Sequence, residues 1–326
     1  MNTSAVSRRS FLAVAGAGGG GLLRPAGAAP GKPLRGIFII MSTPYTAARE
    51  LDYEDLAHEV EFLERCRVHG IVWPQLASEY YKLTMDERMR GMEVLAKAAR
   101  DRAPVLVFGV QGANLNEAMQ YLRHAEKLDP DALIAIPPRA AKSSEDYREY
   151  WSALAGATRR PLFMQTTGGA PGINPTTDML IELSAKYPNL GYVKEEVHPI
   201  VERMQELAAA RPKVKAIFSG GGGRAMLYEA RLGMDGTMPG APYADLYPQI
   251  WEACQAGRLV EAREIFSKLL LMLNCDQQVP GTRQYIMKKR GVFKTTVSRL
   301  RDVRYTSQAI AEIEFHWEAC QPYLRA

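Results

Sequence analysis

Cysteine is scarce in this chain and never paired. Cys66, Cys254, Cys275 and Cys320 stand scattered through 326 residues, without a C-x-x-C spacing or a histidine pattern beside them. That excludes a zinc ribbon and a thioredoxin-type redox centre. They read as buried free thiols, with a bridge among the last three left open in an oxidising compartment. Beyond the N-terminal region, no apolar run approaches the ~20 residues needed to span hydrocarbon, so no stable membrane insertion of the mature chain is expected. Charge of one sign is also missing. Against 41 Lys+Arg stand 36 Asp+Glu, a formal +5. Arg8, Arg9 and Arg24 fall in the first 28 residues, which hold no acid, so the remainder carries 5 − 3 = +2. A near-neutral chain is not a nucleic-acid binder. Nothing in the pattern calls for a metal or a cofactor.

The N-terminus carries a pattern of its own. Ser7-Arg8-Arg9-Ser10-Phe11-Leu12 is a twin-arginine motif, followed by a short glycine-rich apolar run and the small residues Ala26-Gly27-Ala28. Together they read as an export signal over residues 1–28. The mature protein is therefore expected to begin near Ala29, in the periplasm or outside the cell.

From residue 29 onward the chain alternates. Apolar segments of strand length recur at 36–41, 71–74, 105–109, 132–136, 162–165, 191–195, 214–219 and 236–239. Amphipathic stretches separate them; Leu56, Val60 and Leu63 share one helical face, and Asp86 and Glu87 place acids in a first turn. Eight near-continuous apolar strands, each followed by a helix, predict a closed α/β fold, the (β/α)8 TIM barrel, over 29–256. Three further helices are expected in a C-terminal extension, 257–326, packed on the barrel. With 47% hydrophobic residues, one large domain can bury its core.

Chemistry in such a barrel gathers at the C-terminal ends of the strands. There the sequence places Thr43 and Tyr45, then Ser78 and Glu79, Arg139, Gln165, Lys194, and finally Ser219 and Gly220. Lys194 is the singular member. An amine taken into an apolar barrel mouth is favoured in its neutral form and becomes a nucleophile toward carbonyls. Arg139 offers the planar fork that binds carboxylates. The glycines 220–223 before Arg224 lie where barrels often bind phosphate, although such turns also occur without it.

Several of these pieces occur together in one known family. Thr43-Pro44, Gly70-Ile71-Val72, Glu79, Leu83-Thr84, Glu87-Arg88, Pro137-Pro138, Val193-Lys194-Glu195, Ser219-Gly220 and Leu232-Gly233-Met234-Asp235-Gly236 follow in order. The chain resembles the dihydrodipicolinate synthase / N-acetylneuraminate lyase family of class I aldolases. The resemblance implies a barrel with a helical tail, a homo-oligomer of two or four copies, and a Schiff base between Lys194 and a 2-oxo acid or sugar acid. Two departures stand out. The family's hydroxyl pair after the second strand is replaced by Leu76 and Ala77. Its relay tyrosine aligns with Gln165, which is carried over as a catalytic position, and another tyrosine aligns with Arg139. An amide cannot shuttle protons as a phenol does. The expected activity is a lyase, aldolase or dehydratase, acting through Lys194. The alternative is a family member that binds such an acid without turning it over.

Overall fold

The computed structural model describes residues 32–326; the segment 1–28, expected to be an export signal, lies outside them. Eight parallel strands close into a barrel in chain order. They are β1 Gly36–Ile40, β2 Gly70–Trp73, β3 Val105–Gly109, β4 Ala132–Ala135, β5 Leu162–Gln165, β6 Tyr192–Glu195, β7 Ala216–Ser219 and β8 Gly236–Thr237. Pairing of Gly36 with Gly236 and of Ile37 with Thr237 closes the ring.

Alternation along each strand decides which side chains fill the barrel. Phe38, Ile40, Val72, Val107, Ile134, Phe163 and Phe218 form a sealed interior. Phe218 packs edge-on against Phe38 and Phe163, with ring centroids 5.0 and 5.2 Å away. Glycine is required where these rings lie: a Cβ on Gly70 would sit 2.7 Å from the Phe38 ring, and one on Gly236 would sit 2.4 Å from Phe218. The outward residues of the same strands, such as Ile39, Trp73 and Phe108, meet the helices in a second core.

Helices α1 Tyr53–Arg65, α2 Met85–Ala98, α3 Leu115–Lys127, α4 Ser144–Ala157, α5 Thr177–Lys186, α6 Ile200–Ala209, α7 Met226–Arg231 and α8 Leu246–Gln255 follow the strands in turn. Their starts are written locally. Thr84 and Glu87 close a capping box on α2, Ser143 and Asp146 one on α4, and Asp52, Asn114 and Thr176 cap α1, α3 and α5. Such caps satisfy N–H groups that a helix cannot satisfy itself.

Beyond the barrel lie α9 Leu259–Gln278, α10 Thr282–Lys289 and α11 Ser307–Glu318. Helix α9 runs on to Gln278, with Met272, Leu273 and Cys275 buried along it. A buried ion pair, Asp245 to Arg290 at 2.5 Å, ties the start of α8 to the end of α10. The segment after α10 then returns across the barrel. Lys294 N donates to Asp55, Thr295 Oγ1 to the Tyr45 carbonyl, and Ser298 Oγ to Glu79. Arg299 forks onto Glu87 at 2.6 and 2.8 Å. This strap crosses the ends of β1 and β2, the same end at which β6 presents Lys194. All four cysteines are free thiols. Among the described residues no helix is long and apolar enough to cross a membrane.

Candidate active site

Strand β6 points Tyr192 and Lys194 into the barrel and Val193 and Glu195 outward. The same alternation on β5 turns Phe163 and Gln165 inward. Because Gln165 and Lys194 are register partners, their side chains lie side by side above Phe163 and Tyr192, whose ring centroids are 5.3 Å apart. Lys194 is only 2% exposed, and its Nζ donates to Gln165 Oε1 over 3.2 Å.

The third member of the cluster is Glu196, just past the strand. Its Oε1 lies 3.5 Å from Lys194 Nζ. Thr167 Oγ1 donates to Oε2 over 2.6 Å, and Gly221 N donates to Oε1 over 3.0 Å. Burial alone would raise this carboxyl. The Lys194 charge and the donors from Thr167 and Gly221 outweigh it and hold Glu196 below the ordinary carboxylate range. Gly220 makes the position possible, since a Cβ there would stand 1.7 Å from Glu196 Oε1. The glycine run thus serves a carboxylate of the chain itself. With the Gly221 N–H already given to Glu196, the phosphate alternative loses a donor it would need.

Glu195 does the opposite work. Turned outward and fully buried, it accepts from Arg203 on α6 at 2.9 Å, from Thr166 Oγ1 at 2.8 Å and from Val197 N at 2.7 Å. Those bonds fix the end of β6 and so the direction of Lys194.

The remaining expected residues divide. Thr43 and Ser78 come together: Thr43 Oγ1 donates to the Ser78 carbonyl and Ser78 Oγ to the Met41 carbonyl, each over 2.5 Å. Both hydroxyl protons are therefore committed to backbone. Tyr45 and Glu79, expected at the substrate, are engaged by the strap instead. Glu79 accepts from Ser298 Oγ at 2.8 Å and from Arg299 N at 3.2 Å, and burial raises its carboxyl. Arg299 lies 4.7 Å over the Tyr45 ring, whose phenol is pushed well up by burial and by Glu79. A phenol held so firmly protonated is a poor relay. Ser219 follows inward-facing Phe218 and so faces outward, beside Glu229 of α7, whose carboxyl burial raises. Arg139 is exposed in the turn after β4, with its charge felt by Tyr80.

A family model described as the dihydrodipicolinate synthetase family matches residues 33–308. The chain belongs to this family. A 4-hydroxy-tetrahydrodipicolinate synthase of Rhizobium meliloti is 26% identical over 267 residues, covering 81% of this chain and 90% of that protein. An uncharacterized DapA-like lyase of Pyrococcus abyssi is 26% identical over 235 residues, 70% of this chain and 78% of that protein. The crystal structure of dihydrodipicolinate synthase from Rhodopseudomonas palustris superposes with a TM-score of 0.80 at 20% identity. The match covers 87% of this chain and 97% of that one, a likeness of fold.

Membership in a family of class I aldolase-type lyases sharpens the departures. Where the family's hydroxyl pair is expected, Leu76 instead reaches over the mouth: a Cβ built on Gly168 would lie 3.1 Å from Leu76 Cδ1 and 3.0 Å from Ile136 Cγ2. Beneath it Gln75 Nε2 donates to Gln111 Oε1 at 3.0 Å, while Gln75 Oε1 is buried without a partner. Glu196, Thr167 and this glutamine pair escaped the sequence reading. The only signal for Glu196 was the second acid directly after Lys194-Glu195.

Proposed function

We propose that the chain is an imine-forming lyase in which Lys194 condenses with the carbonyl of a 2-oxo acid or related compound, and Glu196 moves the protons. The observation that carries this reading is the Lys194–Glu196 pair, 3.5 Å apart, in a mouth where Gln165 stands in the relay position. Transfer of one proton from Nζ to Oε1 leaves an amine and a carboxylic acid. The amine adds to the substrate carbonyl, and Glu196 returns the proton to the departing hydroxyl, so that water leaves and an iminium forms. The iminium then accepts the electron pair of a C–H or C–C bond on the adjacent carbon. For cleavage, the carboxylate takes the proton of the hydroxyl whose carbon leaves as an aldehyde. A positioned group of this kind contributes roughly 10²–10⁴-fold in rate. Gln165 holds Nζ in place and carries no proton.

Borohydride reduction in the presence of 2-oxo acids, followed by intact-mass and peptide analysis, tests the reading. An adduct on the peptide containing Lys194, abolished in Lys194→Ala, is expected. No adduct with any oxo acid, or an adduct elsewhere, refutes it. The amide at Gln165 favours the second reading, binding without turnover; that reading predicts an adduct with no subsequent cleavage, dehydration or proton exchange. We further propose export through the twin-arginine route, supported by residues 7–28. N-terminal sequencing of native material should begin near Ala29, and an intact Met1 in a cytoplasmic fraction would refute it. Assembly into dimers or tetramers is proposed from family membership.

A further inference from the structure

We infer that the substrate carries a second anionic group, held by arginines in a vestibule beside the barrel mouth. The inference rests on the proposal that Lys194 binds the carbonyl.

A cavity of about 350 Å³ lies between the loop after β2, the loop after β7 and the C-terminal extension. That volume lies within the usual range of small-ligand sites. Leu76 and Ala77 form its barrel side, and Ala77 also packs on the barrel interior. Three guanidiniums line it, Arg224, Arg283 and Arg301, against two acids, Glu79 and Asp276. Both acids are already used by the protein. Glu79 receives Ser298 and Arg299, while Asp276 receives the Tyr243 hydroxyl at 3.0 Å and Arg283 Nε at 2.5 Å. Asp276 grips Arg283 through Nε, which leaves the two terminal nitrogens of the fork for a ligand. Arg224 is anchored on the carbonyls of Gly221 and Leu273 at 3.1 and 2.7 Å. Positive charge thus exceeds what the protein itself neutralises, and the planar fork suits a carboxylate.

The vestibule is joined to the reaction centre by a short chain of contacts. Arg224 bonds the Gly221 carbonyl, Gly221 N bonds Glu196, and Glu196 faces Lys194. The inferred substrate has its carbonyl at Lys194 and its far end past Leu76, among the arginines. The chemistry selected is a 2-oxo acid with a distal carboxylate.

The test compares 2-oxoglutarate with 2-oxopentanoate, and 2-oxoadipate with 2-oxohexanoate, in borohydride trapping of the full chain. Half-trapping should need about one-tenth or less of the concentration for each diacid that it needs for its monoacid, the expected worth of a charged hydrogen bond. In Arg283→Gln that ratio should collapse to near one. Equal half-trapping concentrations in the wild type, or an undiminished ratio in R283Q, would overturn the inference. If R283Q does not fold, the double variant Arg224→Gln/Arg301→Gln carries the same test with the same two outcomes. If no oxo acid is trapped, the imine reading fails and calorimetry decides the vestibule separately. Glutarate should then bind the Lys194→Ala protein and lose that binding when Arg283→Gln is added; absence of binding overturns the site.

Discussion

The two sides of the barrel mouth use similar residues for different ends. On the β5–β7 side, Gln165, Thr167, Lys194 and Glu196 bond chiefly to one another, with the Gly221 N–H and the Thr167 carbonyl as backbone partners. On the β1–β2 side, Thr43, Tyr45, Ser78 and Glu79 are tied to backbone carbonyls and to the strap at 294–299. A polar group at a strand mouth is available for chemistry only where folding has not already consumed its donors and acceptors. Glu195 and Glu196 show this within one dipeptide. The first is locked behind the barrel by Arg203 and the second faces the lysine.

Breaking the structural half should damage stability and leave the chemistry of the remaining folded protein intact. Glu195→Ala has the largest expected effect, since it removes the fully buried acceptor shared by the half-buried Arg203, Thr166 Oγ1 and Val197 N. Breaking such a pair costs roughly 3–5 kcal/mol, readable by denaturant titration. Ser298→Ala removes one donor from buried Glu79 and should cost about 1–3 kcal/mol, with imine trapping at Lys194 unchanged. A loss of trapping in that variant would mean the strap side belongs to the reaction centre. Arg139→Ala comes last. An exposed turn residue is expected to change stability by no more than about 0.5 kcal/mol. A tenfold loss of trapping there would restore Arg139 as a carboxylate clamp.

Acid should separate the two carboxylates on opposite sides of the mouth. Glu196 is held below the ordinary carboxylate range and Glu79 above it. The stabilisation that Glu196 gains from Lys194 is present above about pH 4.3, the usual unfolded value, and is lost only as pH falls through its depressed folded value. Glu79 has the opposite sign. Its raised folded value means that ionisation costs stability as pH rises from about 4.3 through that value. Stability curves of Glu196→Gln and Glu79→Gln against pH should therefore diverge from the wild type in opposite directions.

Much of this was legible in the residues. Near-continuous apolar segments and first-turn acids such as Asp86 and Glu87 fix the order of strands and helices, and the strand ends mark Lys194 and Gln165 as candidates. Their adjacency follows from β5–β6 register. Glu196 was not legible because the alternation that sends Glu195 outward ends at the strand. Its place is set by Gly220 and Gly221, from the next strand's loop. Tyr45 and Glu79 were misread for a different reason: the partners that consume them lie about 220 to 250 residues away along the chain, a distance that no local pattern reports.

The central claim is that Glu196 moves protons at the imine of Lys194, and solvent-deuterium exchange into C3 of 2-oxobutyrate, followed by NMR, tests it without knowledge of the natural substrate. Wild type should catalyse exchange, and Glu196→Gln should slow it by roughly 10²–10⁴-fold while borohydride still yields the Lys194 adduct. Exchange at the wild-type rate in Glu196→Gln would contradict the account.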